Sequence, residues 1–132
     1  MTRILLVEDN DDNFNMLERR LTRQGFVVIG AHDGAIALDK AATEAPDIVL
    51  MDISMPVMSG LDATRELRDR PETRGLPIIA LTAHVAKKDR DACFEAGCDA
   101  FESKPVNFRN LMETMSNVLA IKGKQLTAAH SA

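Results

Sequence analysis

A chain of 132 residues, 45% hydrophobic and 27% charged, has the length and composition of one folded domain with a core of its own. A formal net charge of −4, with no basic block and no Trp or Tyr, excludes an electrostatic footprint for nucleic acid. The longest apolar run falls well short of the roughly 20 residues of a membrane span, and the opening MTRILLVEDN lacks a signal-peptide layout, so a cytoplasmic protein without membrane insertion is expected.

Ile4, Leu5, Leu6 and Val7 form an unbroken apolar run that fits a strand covered on both faces, and it ends on Glu8 and Asp9. Asn10 or a neighbouring Asp can cap the following helix, where Asp11 and Asp12 also suit the macrodipole. Phe14, Leu17 and Leu21 recur at helical spacing before Gly25. Phe14 sits at the edge of that apolar stripe, which leaves two readings: core, or part of a docking rim. A second strand is predicted over Phe26–Ile29, a turn at Asp33-Gly34, and an alanine-rich helix over Ala35–Ala45 that Pro46 terminates.

Ile48–Gly60, IVLMDISMPVMSG, organises the rest of the chain. Four apolar residues run without alternation into Asp52, Pro56 stops any helix, and Ser59-Gly60 starts the next one. That helix is predicted over Leu61–Arg70, followed by a loop to Gly75. A fourth strand, Pro77–Leu81, ends in Thr82. The fourth helix, Ala86–Ala96, has only Ala92, Cys93 and Ala96 as an inward face and should be the least firmly held. Asp99–Glu102 is a short fifth strand before Ser103, Lys104 and Pro105. The last helix, Asn107–Ile121, is strongly amphipathic, and residues 122–132 should form a frayed polar tail. Cys93 and Cys98 have no His or Cys cluster nearby for zinc and read as buried free thiols.

Strand and helix patterns alternating five times with short connections argue for a doubly wound α/β sheet, with helices on both faces by the right-handed crossover rule. In such sheets ligands and chemistry sit beyond the C-terminal strand ends. Glu8 and Asp9, Asp52, Thr82 and Lys104 all fall there. Closely placed carboxylates repel, at about 4 kcal/mol per close pair for an effective dielectric of 20, and a divalent cation removes that cost. Oxygen-only ligands favour Mg²⁺ or Mn²⁺ over zinc. A carboxylate beside a metal, a lysine and a hydroxyl is equipped for phosphoryl transfer, with Asp52 as the candidate nucleophile.

LLVEDN, LMDISMP-VMSG, IIALTA and SKP, in this order and spacing, resemble the receiver domain of two-component response regulators over about Thr2 to Ile121. The single-domain regulators of the bacterial cell-cycle type look most similar, mainly through the EDN…N opening, which receivers attached to hybrid kinases share. The resemblance implies a flavodoxin-like five-stranded parallel sheet of order 2-1-3-4-5 with five helices, and a receiver domain over residues 1–121. It implies Asp52 as phosphoacceptor and Asp9 and Asp52 as metal ligands. Glu8 would act on the metal through water, and Ser54 through its backbone carbonyl. Lys104 would contact the phosphoryl group, Thr82 would be the switch hydroxyl, and the Lys104–Pro105 bond would be cis. The expected partners are a sensor histidine kinase, a histidine phosphotransfer protein and a downstream protein target. The domain would promote only its own phosphorylation and dephosphorylation, and so is not an enzyme acting on other substrates. Because no output domain follows in this sequence, a stand-alone regulator is expected.

Two features depart from the family. Its aromatic switch position falls on Phe101, which lacks the hydroxyl of the Tyr in many relatives. Ser54 and His84 occupy the two positions that tune phosphoryl loss. An Mg²⁺-dependent phosphatase of haloacid-dehalogenase type is the rival reading, but it needs a second Asp where Ser54 stands. A flavodoxin-like FMN module needs a phosphate-cradling loop where EDNDDN would repel phosphate. Within the receiver reading, Phe14 with Pro105 and Val106 could form the apolar docking rim around Asp52.

Overall fold

The computed structural model describes residues 1–55, 58–124 and 126–127; Pro56, read above as a stop signal, lies outside them. Five parallel strands, β1 (Arg3–Val7), β2 (Val27–Ala31), β3 (Ile48–Asp52), β4 (Ile78–Thr82) and β5 (Ala100–Ser103), lie in the order 2-1-3-4-5. Between and after them run α1 (Asp11–Arg23), α2 (Gly34–Thr43), α3 (Gly60–Asp69), α4 (Lys87–Ala96) and α5 (Phe108–Ile121). The five alternations and the implied strand order are those expected.

The unbroken apolar runs are explained by burial on both faces. Every residue of β3 and β4 is buried. Alternate side chains divide the core into two layers. Ile4, Leu6, Ile48, Leu50, Ile79 and Leu81 pack with Phe14, Leu17 and Leu21 of α1 and with Leu111, Met115 and Leu119 of α5. Leu5, Val7, Val49, Met51, Ile78 and Ala80 pack with α2, α3 and Cys93 of α4. No helix among the described residues is long and apolar enough to cross a membrane.

Local chemistry sets most boundaries. Asn10, Asp33, Ser59 and Asn107 cap α1, α2, α3 and α5, each side chain accepting from the backbone N–H three residues on. The second strand runs two residues beyond its predicted end. Parallel pairing with β1 sets Gly30 opposite Leu6 and Ala31 opposite Val7, and a Cβ on Gly30 would meet the Phe14 ring at 2.4 Å. The second helix stops short of Ala45, whose φ is 48°, because Pro46 disfavours helical backbone in the residue before it. The expected frayed tail also needs correction in part: Leu126 packs on the core, Thr2 N–H donates to the Thr127 carbonyl and Thr127 N–H donates to Thr2 Oγ1, both at 2.8 Å. Gln125 and residues 128–132 lie outside the described residues. Cys93 and Cys98 are buried free thiols, as expected.

Candidate functional site

Parallel register assembles the site. Val7 pairs with Met51, Asp52 with Leu81, and Thr82 with Ser103. Glu8, Asp52, Thr82 and Lys104 therefore meet at one edge, and Lys104 N–H donates to the Thr82 carbonyl at 2.8 Å. Glu8 and Asp52 share the parity of the side chains that pack under α1 and α5, so both carboxylates emerge on that side. Thr82 shares the parity of Ile78 and Ala80, and Phe101 packs with that same opposite layer.

Glu8 and Asp52 are 1% and 2% exposed. The Lys104 ammonium donates to Glu8 Oε1 and to Asp52 Oδ1, both at 3.0 Å, and closes the cluster. Backbone amides supply the remaining contacts: Asn10 N–H donates to Glu8 Oε2 at 3.3 Å, and Ser54 N–H to Asp52 Oδ1 at 3.1 Å. Asp9 is exposed, and one carboxylate oxygen from each of Glu8, Asp9 and Asp52 lies within 4.8 Å of the others. Beneath them Gly60 passes so close that a Cβ there would stand 2.1 Å from the Asp52 carbonyl oxygen. The Lys104–Pro105 bond is cis.

Burial, then the neighbouring Glu8, pushes the Asp52 carboxyl up to about 6, against the opposing pull of Lys104. For Lys104, burial disfavours the charged form, but the bonds to Glu8 and Asp52 outweigh it and hold the ammonium above its ordinary value. One lysine thus stands against three carboxylates. That excess negative charge, presented by oxygen ligands alone, fits a hard divalent cation.

Thr82 is buried, and its hydroxyl is engaged in a tight local turn. It donates to the His84 carbonyl at 3.2 Å and accepts from the His84 N–H at 3.0 Å. Phe101 is half-buried, with Phe94 of α4 edge-on at 6.2 Å and the Arg90 guanidinium 5.9 Å above its ring. Ser54 is exposed beside Asp52.

The docking-rim reading of Phe14 is corrected. Its side chain is 6% exposed, fills the space over Gly30 and meets the His32 ring at a tilt, with centroids 4.8 Å apart. Met16, 47% exposed, instead joins Pro105 and Val106 in lining an apolar groove of about 340 Å³ that opens from Glu8 and Lys104. The signal was present in the sequence: Phe14 is in phase with Leu17 and Leu21, and Met16 is not. The anchoring of Thr82 by the His84 backbone had no residue-type signature.

The chain matches the model of the response regulator receiver domain over residues 4–116. It is 37% identical over 116 residues to the polar-differentiation response regulator DivK of Brucella anthropi, covering 88% of this chain and 94% of that one. The receiver domain of a sensor histidine kinase from Pseudomonas aeruginosa, solved with a magnesium ion coordinated in its active site cleft, superposes with a TM-score of 0.82 at 36% identity, covering 93% of this chain and 98% of that one. The receiver domain of the Saccharomyces cerevisiae response regulator Ssk1, in complex with the histidine phosphotransfer protein Ypd1, gives 0.84 at 26% identity, covering 92% and 90%.

Proposed function

Because this chain belongs to the response regulator receiver domain family, we propose that Asp52 is its phosphoacceptor, taking a phosphoryl group from a phosphohistidine on a sensor kinase or phosphotransfer protein. The observation that carries this reading is the Lys104 ammonium, 3.0 Å from both Asp52 and Glu8 at the strand edge. An Asp52 oxygen attacks phosphorus, the P–N bond breaks, and its electron pair returns to the donor imidazole. Lys104 already lies on Asp52 Oδ1 and can follow the charge onto a phosphoryl oxygen without leaving Glu8. The Thr82 hydroxyl exchanges its bond to the His84 carbonyl for one to the phosphoryl group.

Asp9, Asp52 and the Ser54 carbonyl would hold Mg²⁺ or Mn²⁺, with Glu8 acting through water. When bound, the ion neutralises carboxylate and phosphoryl charge together. The chemistry is the chain's own phosphorylation and dephosphorylation. Its consequence is either relay to a further histidine or a changed surface for a downstream protein. Drawing Thr82 towards the phosphoryl group frees space beside Phe101, and rotation of that ring removes the edge contact with Phe94 on α4. The readout is therefore the α4–β5–α5 surface, reached by a shift between two existing states.

Acetyl phosphate with Mg²⁺ should add one hydroxylamine-labile phosphoryl group, read by intact mass. Undiminished labelling of Asp52→Asn would sink the assignment, and unchanged Mg²⁺ affinity in Asp9→Asn would remove Asp9 from the metal site. The beryllofluoride mimic should alter amide exchange as far as residues 86–102, and Thr82→Ala should label normally but respond weakly. Changes confined to the loops around Asp52 would disprove the coupling.

A further inference from the structure

Gly34 opens α2, yet its backbone does not call for a glycine, since its φ lies outside the left-handed region. Alanine is the better helix former, by up to about 1 kcal/mol. What excludes a side chain there is a neighbour. A Cβ on Gly34 would stand 2.8 Å from Met58 Sδ, 2.9 Å from its Cγ and 3.0 Å from its Cβ. Met58 belongs to the loop that leaves β3 after Asp52 and enters α3 at Gly60. Its side chain packs against the α2–α3 layer of the core. The seat itself is firm: Gly34 is buried, and Asp33 caps α2 by accepting from the Ile36 N–H at 2.8 Å.

Two residues past Met58, the Gly60 N–H donates to the Ile53 carbonyl at 3.1 Å, and the same carbonyl accepts from the Met55 N–H at 3.2 Å. Ile53 thus closes the loop on itself directly after Asp52. Gly60 also presses on that backbone, leaving no room for a Cβ beside the Asp52 carbonyl or Ile53 Cα. On the other side of Ile53, the Ser54 N–H donates to Asp52 Oδ1 at 3.1 Å. A displacement of Met58 is therefore passed to the backbone that carries the Asp52 carboxylate and the Ser54 carbonyl. We propose that Met58, seated on Gly34, is a positioning residue for the phosphoacceptor site, its packing on α2 setting where that carboxylate and that carbonyl stand. This inference rests on Asp52 being the phosphoacceptor and on both groups holding the divalent ion. Such placement matters because a shift of about 1 Å at a reacting centre can cost about a hundredfold in rate.

The test is a double-mutant cycle on Gly34 and Met58 in the whole chain. Three quantities are read: Mg²⁺ affinity by calorimetry, and, without divalent ions, exchange of the Ser54 and Gly60 amides and urea unfolding. Gly34→Ala should weaken Mg²⁺ binding roughly tenfold and speed exchange of both amides. Met58→Ala, which empties the seat without crowding it, should do both to a smaller extent. In the double variant the new methyl group enters space that the Met58 side chain has left. It should therefore bind Mg²⁺ no worse than Met58→Ala alone, so that the two changes are non-additive. Should Gly34→Ala not fold, Met58→Ala and the double variant still decide. Wild-type Mg²⁺ affinity and amide exchange in Met58→Ala, whatever its stability, would overturn the proposal and mark Met58 as packing alone. Additive losses in the double variant would overturn it as well. Failure of the wild type to bind Mg²⁺, or to be labelled at Asp52 by acetyl phosphate, would instead overturn the reading beneath it.

Discussion

The acidic strand edge and the α4–β5 face lie on opposite sides of the same sheet end and are built to opposite standards. At the edge, the Glu8 and Asp52 carboxylates are almost wholly removed from water, and the half-buried Lys104 ammonium and two backbone amides hold them in place. Across the sheet, α4 is the one helix among the described residues whose N-cap, Ala86, makes no side-chain hydrogen bond. It buries only Cys93 and Ala96 and leaves Phe94 48% exposed. The difference teaches how such a domain can switch. Chemistry needs groups fixed to within a fraction of an ångström, and burying like charges for that purpose costs stability. A conformational response needs an element whose two seatings differ little in free energy, and weak anchoring supplies one.

The most severe way to break this contrast is to remove the cation. Lys104→Met leaves Glu8 and Asp52 buried without a counter-charge and should cost about 3 kcal/mol, measured by urea unfolding without divalent ions; Mg²⁺ should recover part of the loss. A change below about 0.5 kcal/mol would mean the cluster is not strained.

Next in size is Asp52→Asn, which should stabilise the metal-free protein by about 2 kcal/mol near neutral pH. The sign follows from the titration. Folded Asp52 keeps its proton up to about pH 6, whereas the ordinary value is 3.8. The folded state therefore binds this proton more tightly than the unfolded chain, and it loses stability as pH rises through that window. The advantage of Asn should be absent well below the ordinary value and fully developed above the folded one. A pH-independent gap would show that burial of the charge is not the cause.

On the other face, Ala86→Asp should supply the missing cap and stabilise α4 by about 1 kcal/mol. Amide exchange within residues 87–96 should then slow about fivefold, and the response of those amides to beryllofluoride should shrink. In the wild type, α4 amides should exchange well ahead of those in β3. Equal protection in the two would remove the distinction between the regions.

The smallest expected effect is that of Phe94→Ala. It removes an edge contact worth about 0.5–1 kcal/mol and leaves acetyl phosphate labelling unchanged. The amides around Phe101 should shift towards their beryllofluoride positions before any phosphorylation. Unaltered Phe101 signals would show that the Phe94 contact does not bias the ring.

The sequence by itself determined the alternation, and with it the site's membership. Apolar runs such as Ile4–Val7 and Ile48–Met51 can be satisfied only between two helical layers, and each ends on a residue able to do chemistry. Parallel strands in short α/β units then carry those ends to one edge without further information. Caps such as Asp33 and Ser59 were legible because a side chain bonding three residues along is a local event.

Only the tertiary structure decided what depends on contacts between elements distant in the chain. Phe14 belongs to the core because Gly30 leaves room for its ring, and β2 runs through Gly30 because its pairing partner β1 sets its length. The elevated proton affinity of Asp52 arises from burial and from Glu8, 44 positions away. Whether Arg20 stands free or is held depends on Phe108, 88 positions further on. Local propensity and periodicity act over a few residues. Burial, register and charge coupling exist only once the sheet has brought its strands side by side.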